Sequence, residues 1–294
     1  MGCLVSRANK IKLAVLGFSE GNGHPFSFSA IINGFDAEDF DPDWWLIRDY
    51  LLCKPSNEFL STEAEVVQAW TPDFALTERL CTSCRIPHSL KRYEDVENVD
   101  AVIIARDDWK DRQAILWHFL DRGIPVFCDK PLTGDRVEFG KLRNFLSQGL
   151  LYSGSGLRWA IEADPHRKGM REARFSAGFV INDLQRYGIH LLDLVVRAQA
   201  SDVVEVSRLS RHTESFEFVF GNGHIFHLHC LGDLGKTFEI HYWNPEKRQF
   251  SVADNFTAFR RTLQRFLKMV RTGEAVDGED TCRSIDALTR ASLL

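Results

Sequence analysis

Between Lys10 and Cys128 the chain alternates short, apolar, β-rich runs with amphipathic stretches of helical period, and this alternation limits the fold more than any other feature. Lys10-Ile11-Lys12-Leu13-Ala14-Val15-Leu16-Gly17 is an apolar run closed by glycine, as a strand buried on both faces requires. A polar, glycine-rich turn follows. Pro25 then stands where a first helical turn tolerates a missing N–H, and Phe28, Ile31 and Ile32 supply an apolar helix face up to Asn33-Gly34. Residues 65–70, 99–105 and 124–128 read as further strands, with helices at 74–84, 111–122 and 135–148 and a strand at 150–158. Successive parallel strands need a long crossover, and a helix between each pair supplies it with the right hand. The chain is therefore expected to be α/β, with residues 1–158 forming a Rossmann-type doubly wound parallel sheet.

Beyond about residue 160 the pattern changes to longer alternating strands, 215–220, 224–231 and 237–243, around one helix at 185–198. Gly221-Asn222-Gly223 between two of them is a hairpin signal, so this sheet reads as open and mostly antiparallel. With two closing helices at 255–271 and 280–293 it makes a second, α+β domain over 159–294. A length of 294 residues suits two cores better than one or three. Residues 35–63 are acidic, carry Pro42 and Pro55, and contain the pair Trp44-Trp45, which reads as an insertion that packs over something else.

A net charge of −5 provides no footprint for nucleic acid, which calls for clustered basic residues. No run of eighteen apolar residues occurs, so no membrane span is expected. Met1-Gly2-Cys3-Leu4-Val5-Ser6 fits an amino-terminal myristoylation pattern, but the reading preferred is a frayed tail before the first strand. Seven cysteines include one close pair, Cys81 and Cys84, without a second pair at zinc-site spacing. They read as reduced thiols of a cytoplasmic protein. His212, His224, His227, His229 and His241 fall in the sheet region and read as sheet-surface residues rather than metal ligands.

The turn Gly17-Phe18-Ser19-Glu20-Gly21-Asn22-Gly23-His24 lies between a strand and a helix, where a dinucleotide pyrophosphate rests on backbone N–H groups. Serine and asparagine replace the second and third glycines of the usual fingerprint, so a tight turn needing positive φ is an equal reading of the loop alone; its context favours phosphate. Trp70-Thr71-Pro72-Asp73 puts tryptophan where an acidic residue usually holds the ribose, leaving Asp73 to reach it and NAD or NADP equally open. Lys130 follows a strand that ends at Cys128, and a lysine there points into the ligand crevice or lies solvated on the surface.

The ordered set Val99 to Ala105, Asp129-Lys130-Pro131, Arg158 closing the following strand, Tyr187-Gly188-Ile189-His190-Leu191-Leu192-Asp193 and the closing helix from Phe256 resembles the Gfo/Idh/MocA oxidoreductases over nearly the whole chain. The resemblance implies a nicotinamide dinucleotide, NAD or NADP, held by Gly17, Ser19, Glu20, Asn22, Gly23, His24, Trp70, Thr71, Asp73, Arg106, Asp107, Asp129 and Lys130. It implies Lys130 and His190 as catalytic residues, Arg158, Arg186, Tyr187 and Asp193 around a carbohydrate-like substrate, and a homodimer or homotetramer paired through the second sheet. Two departures stand out. Arg186 occupies the place, four residues before the histidine, where the family commonly has aspartate, which favours an anionic sugar or leaves a solvated arginine. Arg106-Asp107-Asp108-Trp109 replaces the family's Thr-Pro beside the nicotinamide. These departures also admit a cofactor- or sugar-sensing regulatory protein without turnover on the same fold.

Overall fold

The computed structural model describes residues 10–210, 212–235 and 237–294; the Met1 to Ser6 pattern lies outside them. The first half runs β1 (Ile11–Leu16), α1 (His24–Asn33), α2 (Trp45–Leu52), β2 (Ala64–Trp70), α3 (Phe74–Ser83), β3 (His88–Ser89), β4 (Ala101–Ile104), α4 (Gln113–Leu120), β5 (Val126–Cys128), α5 (Arg136–Ser147) and β6 (Leu151–Ser153). Its six strands pair in the order β3-β2-β1-β4-β5-β6, all parallel. β1, β4 and β5 are apolar throughout or nearly so because helices cover both faces. The strand order reverses between β1 and β4, so the crevice for a ligand opens at the carboxyl ends of these two strands. The turn after β1 and the segments after β4 and β5 all project there.

The second half runs α6 (Arg167–Glu172), β7 (Phe175–Val180), α7 (Ile189–Gln199), β8 (Val203–Arg208), β9 (Glu214–Phe220), β10 (Ile225–Cys230), β11 (Phe238–Asn244), β12 (Glu246–Ser251), α8 (Asn255–Thr272) and α9 (Gly278–Ala291). Its sheet has the order β12-β11-β7-β10-β9-β8, antiparallel except for the β7–β10 pair. The β9–β10 hairpin turns at Gly223, with φ +85°, and the Asn222 side chain accepts the His224 N–H. α7 is buried along almost its whole length against one sheet face, among Phe216, Phe218, Phe226 and Leu228. The opposite face carries Phe175, Phe179, His227, His229, His241 and Trp243, with His227 bonded to Glu217 and His229 to Ser215. His224 does not share that face: it is buried, with its ring nitrogens on Ser176 Oγ and the Ala173 carbonyl, because an imidazole satisfied at both ends can be taken out of water.

Two elements depart from the linear reading. The strand at 150–158 stops at Ser153, and Arg158 lies in a 3₁₀ turn, Gly156–Trp159, that crosses to the second half. α8 returns to the first half: Phe256, Phe259, Leu263, Phe266 and Leu267 bury with β1, α1 and β2 in one core. The insertion packs on this returning helix. Tyr50 and Phe59 meet Phe256 edge-on, Lys54 pairs with the α8 cap Asp254 at 3.0 Å, and Trp44 and Ile47 lie against Gly23 at the start of α1. A Cβ on Gly23 would collide with both, so glycine there permits this close packing. No helix among the described residues is long and apolar enough to cross a membrane. Cys81 and Cys84 lie at the end of α3, and burial pushes the Cys81 thiol up to about 12.

Candidate active site

The crevice at the β1/β4 reversal is closed on its other side by the second half, through a wide π-type turn at Leu184–Gly188 and the first turn of α7. Between them lies a cleft of about 230 Å³ lined by Gly21, Asn22, Gly23, His24, Asp107, Lys130, Leu157, Arg186, Tyr187 and His190, with Phe238 from β11 and Asn255 and Phe259 from α8. Lys130 and His190, 60 residues apart in the chain, thus share one cavity. Asn255 and Phe259 carried no signal in the sequence, because only the return of α8 brings them here.

Lys130 is buried, not solvated. Its Nζ donates to the Arg186 carbonyl at 2.9 Å and to Asp107 Oδ2 at 3.3 Å. Asp107 also accepts the Ser19 hydroxyl at 2.6 Å and Arg186 Nε at 3.1 Å. Burial works against the Asp107 charge, but Lys130, Ser19 and Arg186 together hold its carboxyl below the usual range. Arg186 reaches further and donates to the Glu20 carbonyl at 2.5 Å. One carboxylate thereby ties the glycine turn, the lysine and the second half together. The side chain of Arg186 is about one-third exposed, so it is neither fully solvated nor committed to the core.

His190 lies on the buried side of the cleft with Nδ1 2.5 Å from Ser155 Oγ, which also accepts the Leu157 N–H. Desolvation, with Lys130 and His24 nearby, lowers its proton affinity well below that of a free imidazole, so it is neutral near pH 7. Asp193 and Arg158 stand behind this pair rather than in the cleft, which corrects their expected place beside the substrate. Each is about 1% exposed. Asp193 accepts Arg158 Nε at 3.0 Å and Nη2 at 2.5 Å, the Ser155 N–H at 2.6 Å and the Ser284 hydroxyl at 2.5 Å. Arg158 adds Thr281 on α9. Two full charges this deep persist only when paired, and the Arg158 guanidinium is tied to Asp193 and Thr281 rather than turned to the cleft.

The neutral His190 has a measurable cost in acid. In the unfolded chain an imidazole takes up a proton near pH 6.5, whereas the folded site takes one up only at lower pH, so stability is full above that value and declines as pH falls through it. The expected slope is about 1.4 kcal/mol per pH unit for each such group, down to its folded pKa. His224 and His229 are depressed by burial in the same direction. Calorimetric melting between pH 8 and 5 should show this decline, shallower in His190→Gln; identical profiles for both proteins would remove His190 from the account.

On the opposite wall, Asn22 explains why the third glycine of the fingerprint is absent. Its Oδ1 accepts the His24 N–H at 2.9 Å, the first N–H of α1, and its Nδ2 donates to Asp129 at 3.2 Å. Asp129 Oδ2 lies 2.5 Å from His24 Nδ1, and Oδ1 accepts the Lys130 N–H. Burial opposes the Asp129 charge, yet His24, Lys130 and Arg112 outweigh it and keep the carboxyl ionised far into acid. Among the described residues, the N–H groups of Ser19, Glu20, Gly21 and Gly23 have no acceptor, which is the donor set of an anion cradle at a helix start.

Other expected site residues lie elsewhere. Trp70 stacks edge-on with Tyr93 and donates to the Lys91 carbonyl. The Thr71 hydroxyl donates to the Asp73 carbonyl, and Asp73 caps α3 through the Ala75 N–H. Thr71 and Asp73 are occupied in closing the β2–α3 turn, because a helix start without a cap leaves N–H groups unmet. Arg106 lies outside the cleft lining; its stem covers Gly17, whose φ is +90°, and its guanidinium pairs with Asp108.

No protein-family model matches the chain, and no curated protein matches it. Solved structures do. UDP-N-acetylglucosamine 3-dehydrogenase from Acidithiobacillus ferrooxidans superposes with a TM-score of 0.70 at 14% identity, over 97% of this chain and 98% of that one. Myo-inositol dehydrogenase from Lactobacillus casei, in complex with NAD(H) and myo-inositol, gives 0.68 at 12% identity over 97% and 95%. A Gfo/Idh/MocA family oxidoreductase from Vibrio cholerae gives 0.66 at 16% over 96% and 97%. At such identities the likeness carries the fold.

Proposed function

We propose that this chain, which has the fold of the Gfo/Idh/MocA oxidoreductases, transfers hydride between NAD or NADP and a hydroxyl- or ketone-bearing carbon of a sugar, sugar acid or nucleotide-linked sugar. The observation that carries the reading is the meeting of Lys130 and His190 in one cleft beside the unpaired N–H groups of the 17–23 turn. That turn, with Ser19, Asn22 and Gly23, would hold the pyrophosphate at the start of α1. When bound, the nicotinamide supplies the hydride acceptor or donor. The protein's share is then orientation and charge. The Lys130 ammonium donates to the reacting oxygen and lowers its proton affinity, and His190 exchanges the proton across the same oxygen.

The cleft is small beside the roughly 300 to 1,000 Å³ of common ligand pockets, because Arg186 reaches across it to Glu20. A dinucleotide along the turn therefore needs this side chain to swing away. The same bridge is the one observation favouring the sensing alternative, in which ligand binding moves Arg186 without turnover. Titration with NAD, NADH, NADP and NADPH, followed by a screen of sugars and sugar nucleotides, separates the readings. Binding with turnover supports the enzyme, binding without turnover the sensor, and no binding sinks both.

Once swung free, Arg186 presents a guanidinium to the substrate end of the cleft. Arg186→Gln should then raise KM for an anionic substrate by about 10- to 100-fold, the worth of one charge-assisted hydrogen bond, while changing a neutral one little. Equal effects on both substrates would sink the anion-binding role.

A further inference from the structure

The cleft holds two histidines, and they are backed differently. His190 Nδ1 meets a neutral hydroxyl, Ser155, and its surroundings oppose a positive charge. His24 Nδ1 meets Asp129 at 2.5 Å, and Asp129 is ionised, fully buried and fixed by Asn22 Nδ2 and the Lys130 N–H. A carboxylate can only accept, so the proton of the His24–Asp129 bond sits on Nδ1 and leaves Nε2 as the atom offered outward. The ring is clamped in that orientation by Phe28, stacked at 5.0 Å, and Phe259, edge-on at 5.0 Å. Among the described residues Nε2 has no partner, and His24 lines the cleft with Lys130.

Resting on the oxidoreductase reading, we infer that His24 is a further catalytic residue, the group that finally holds the proton His190 exchanges at the substrate oxygen, and that Asp129 is its positioning residue. In the oxidation direction a bound, oxidised nicotinamide would take the electron pair of the breaking substrate C–H bond as hydride. The O–H bond breaks, C=O forms, and the proton ends on His24 Nε2. The imidazolium so formed stands against the Asp129 carboxylate, a stabilisation His190 lacks. Arg186, four residues before His190, is a cation where a carboxylate would be needed to hold that charge; the carboxylate–histidine pair is instead built on the wall of the first domain.

Two measurements test this. Long-range ¹H–¹⁵N spectra of the ligand-free protein should show His24 protonated at Nδ1 and bare at Nε2, with that tautomer lost in Asp129→Ala. For turnover, His24→Gln should lower kcat by about 100-fold or more, and His24→Ala should regain activity with added imidazole, which a merely structural role would not allow. Wild-type kcat in His24→Gln, absence of imidazole rescue, or the Nε2–H tautomer would each overturn the assignment alone. A wild-type protein that binds no dinucleotide overturns the oxidoreductase reading, and this assignment with it.

Discussion

Replacing Lys130 with Met should lower kcat by about a thousandfold while the dinucleotide still binds. The ammonium is buried in the cleft and bonds both Asp107 and the Arg186 carbonyl of the second half. Without it the developing alkoxide loses its buried ammonium donor, and a positioned acid–base group is worth roughly 10²- to 10⁴-fold. Methionine keeps the length of the stem and loses only the ammonium, which lies 5.9 Å from the Tyr187 ring centroid. The N–H groups of the 17–23 turn do not involve Lys130, which is why nucleotide affinity and turnover should part company. Steady-state kinetics on the best substrate of the screen, beside a calorimetric titration of nucleotide, check the split. Undiminished kcat would take Lys130 out of the mechanism.

The largest effect on stability is expected from Asp193→Ala. This change leaves the Arg158 guanidinium without a counter-charge in a site about 1% exposed, and it strips acceptors from the Ser155 N–H and the Ser284 hydroxyl. Removing one partner of a buried ion pair costs about 3 to 5 kcal/mol. For a chain of this size that lowers Tm by about 10 °C. The double variant Arg158→Met with Asp193→Leu should recover most of the loss, since the stranded charge is gone. A single variant that melts with the wild type would show that water reaches Arg158. The same lesion frees Ser155, so His190 also loses its orientation and kcat falls with stability.

How far the site could be read in advance varied by residue. Lys130 follows a short apolar strand, and the rule that ligands gather at the carboxyl ends of parallel strands pointed it into the crevice, where it lies. Arg158 and Asp193 were equally visible as a charged motif, but nothing in their spacing said that they face each other across 35 residues. Their pairing depends on α7 crossing the 3₁₀ turn after β6, and on α9 adding Thr281 and Ser284 behind them. Trp70 and Asp73 looked like cofactor residues by position along the chain; local bonding to Lys91 and Ala75 claims them instead.

By itself the sequence determined the two sheets, their parallel and largely antiparallel characters, and the turn at the start of α1. These follow from local periodicity, from the crossover each parallel strand needs, and from the few residues that tolerate a given turn. Only the tertiary structure decided which polar side chains meet. It brought Asp107 to Ser19, Lys130 and Arg186, set Asp129 behind His24, and returned α8 to complete the cleft. A charge or a ring nitrogen acquires its chemistry from neighbours a few ångströms away, and those neighbours come from segments far apart in the chain. Sequence periodicity records which face of an element is buried, and it holds no record of what that face will touch.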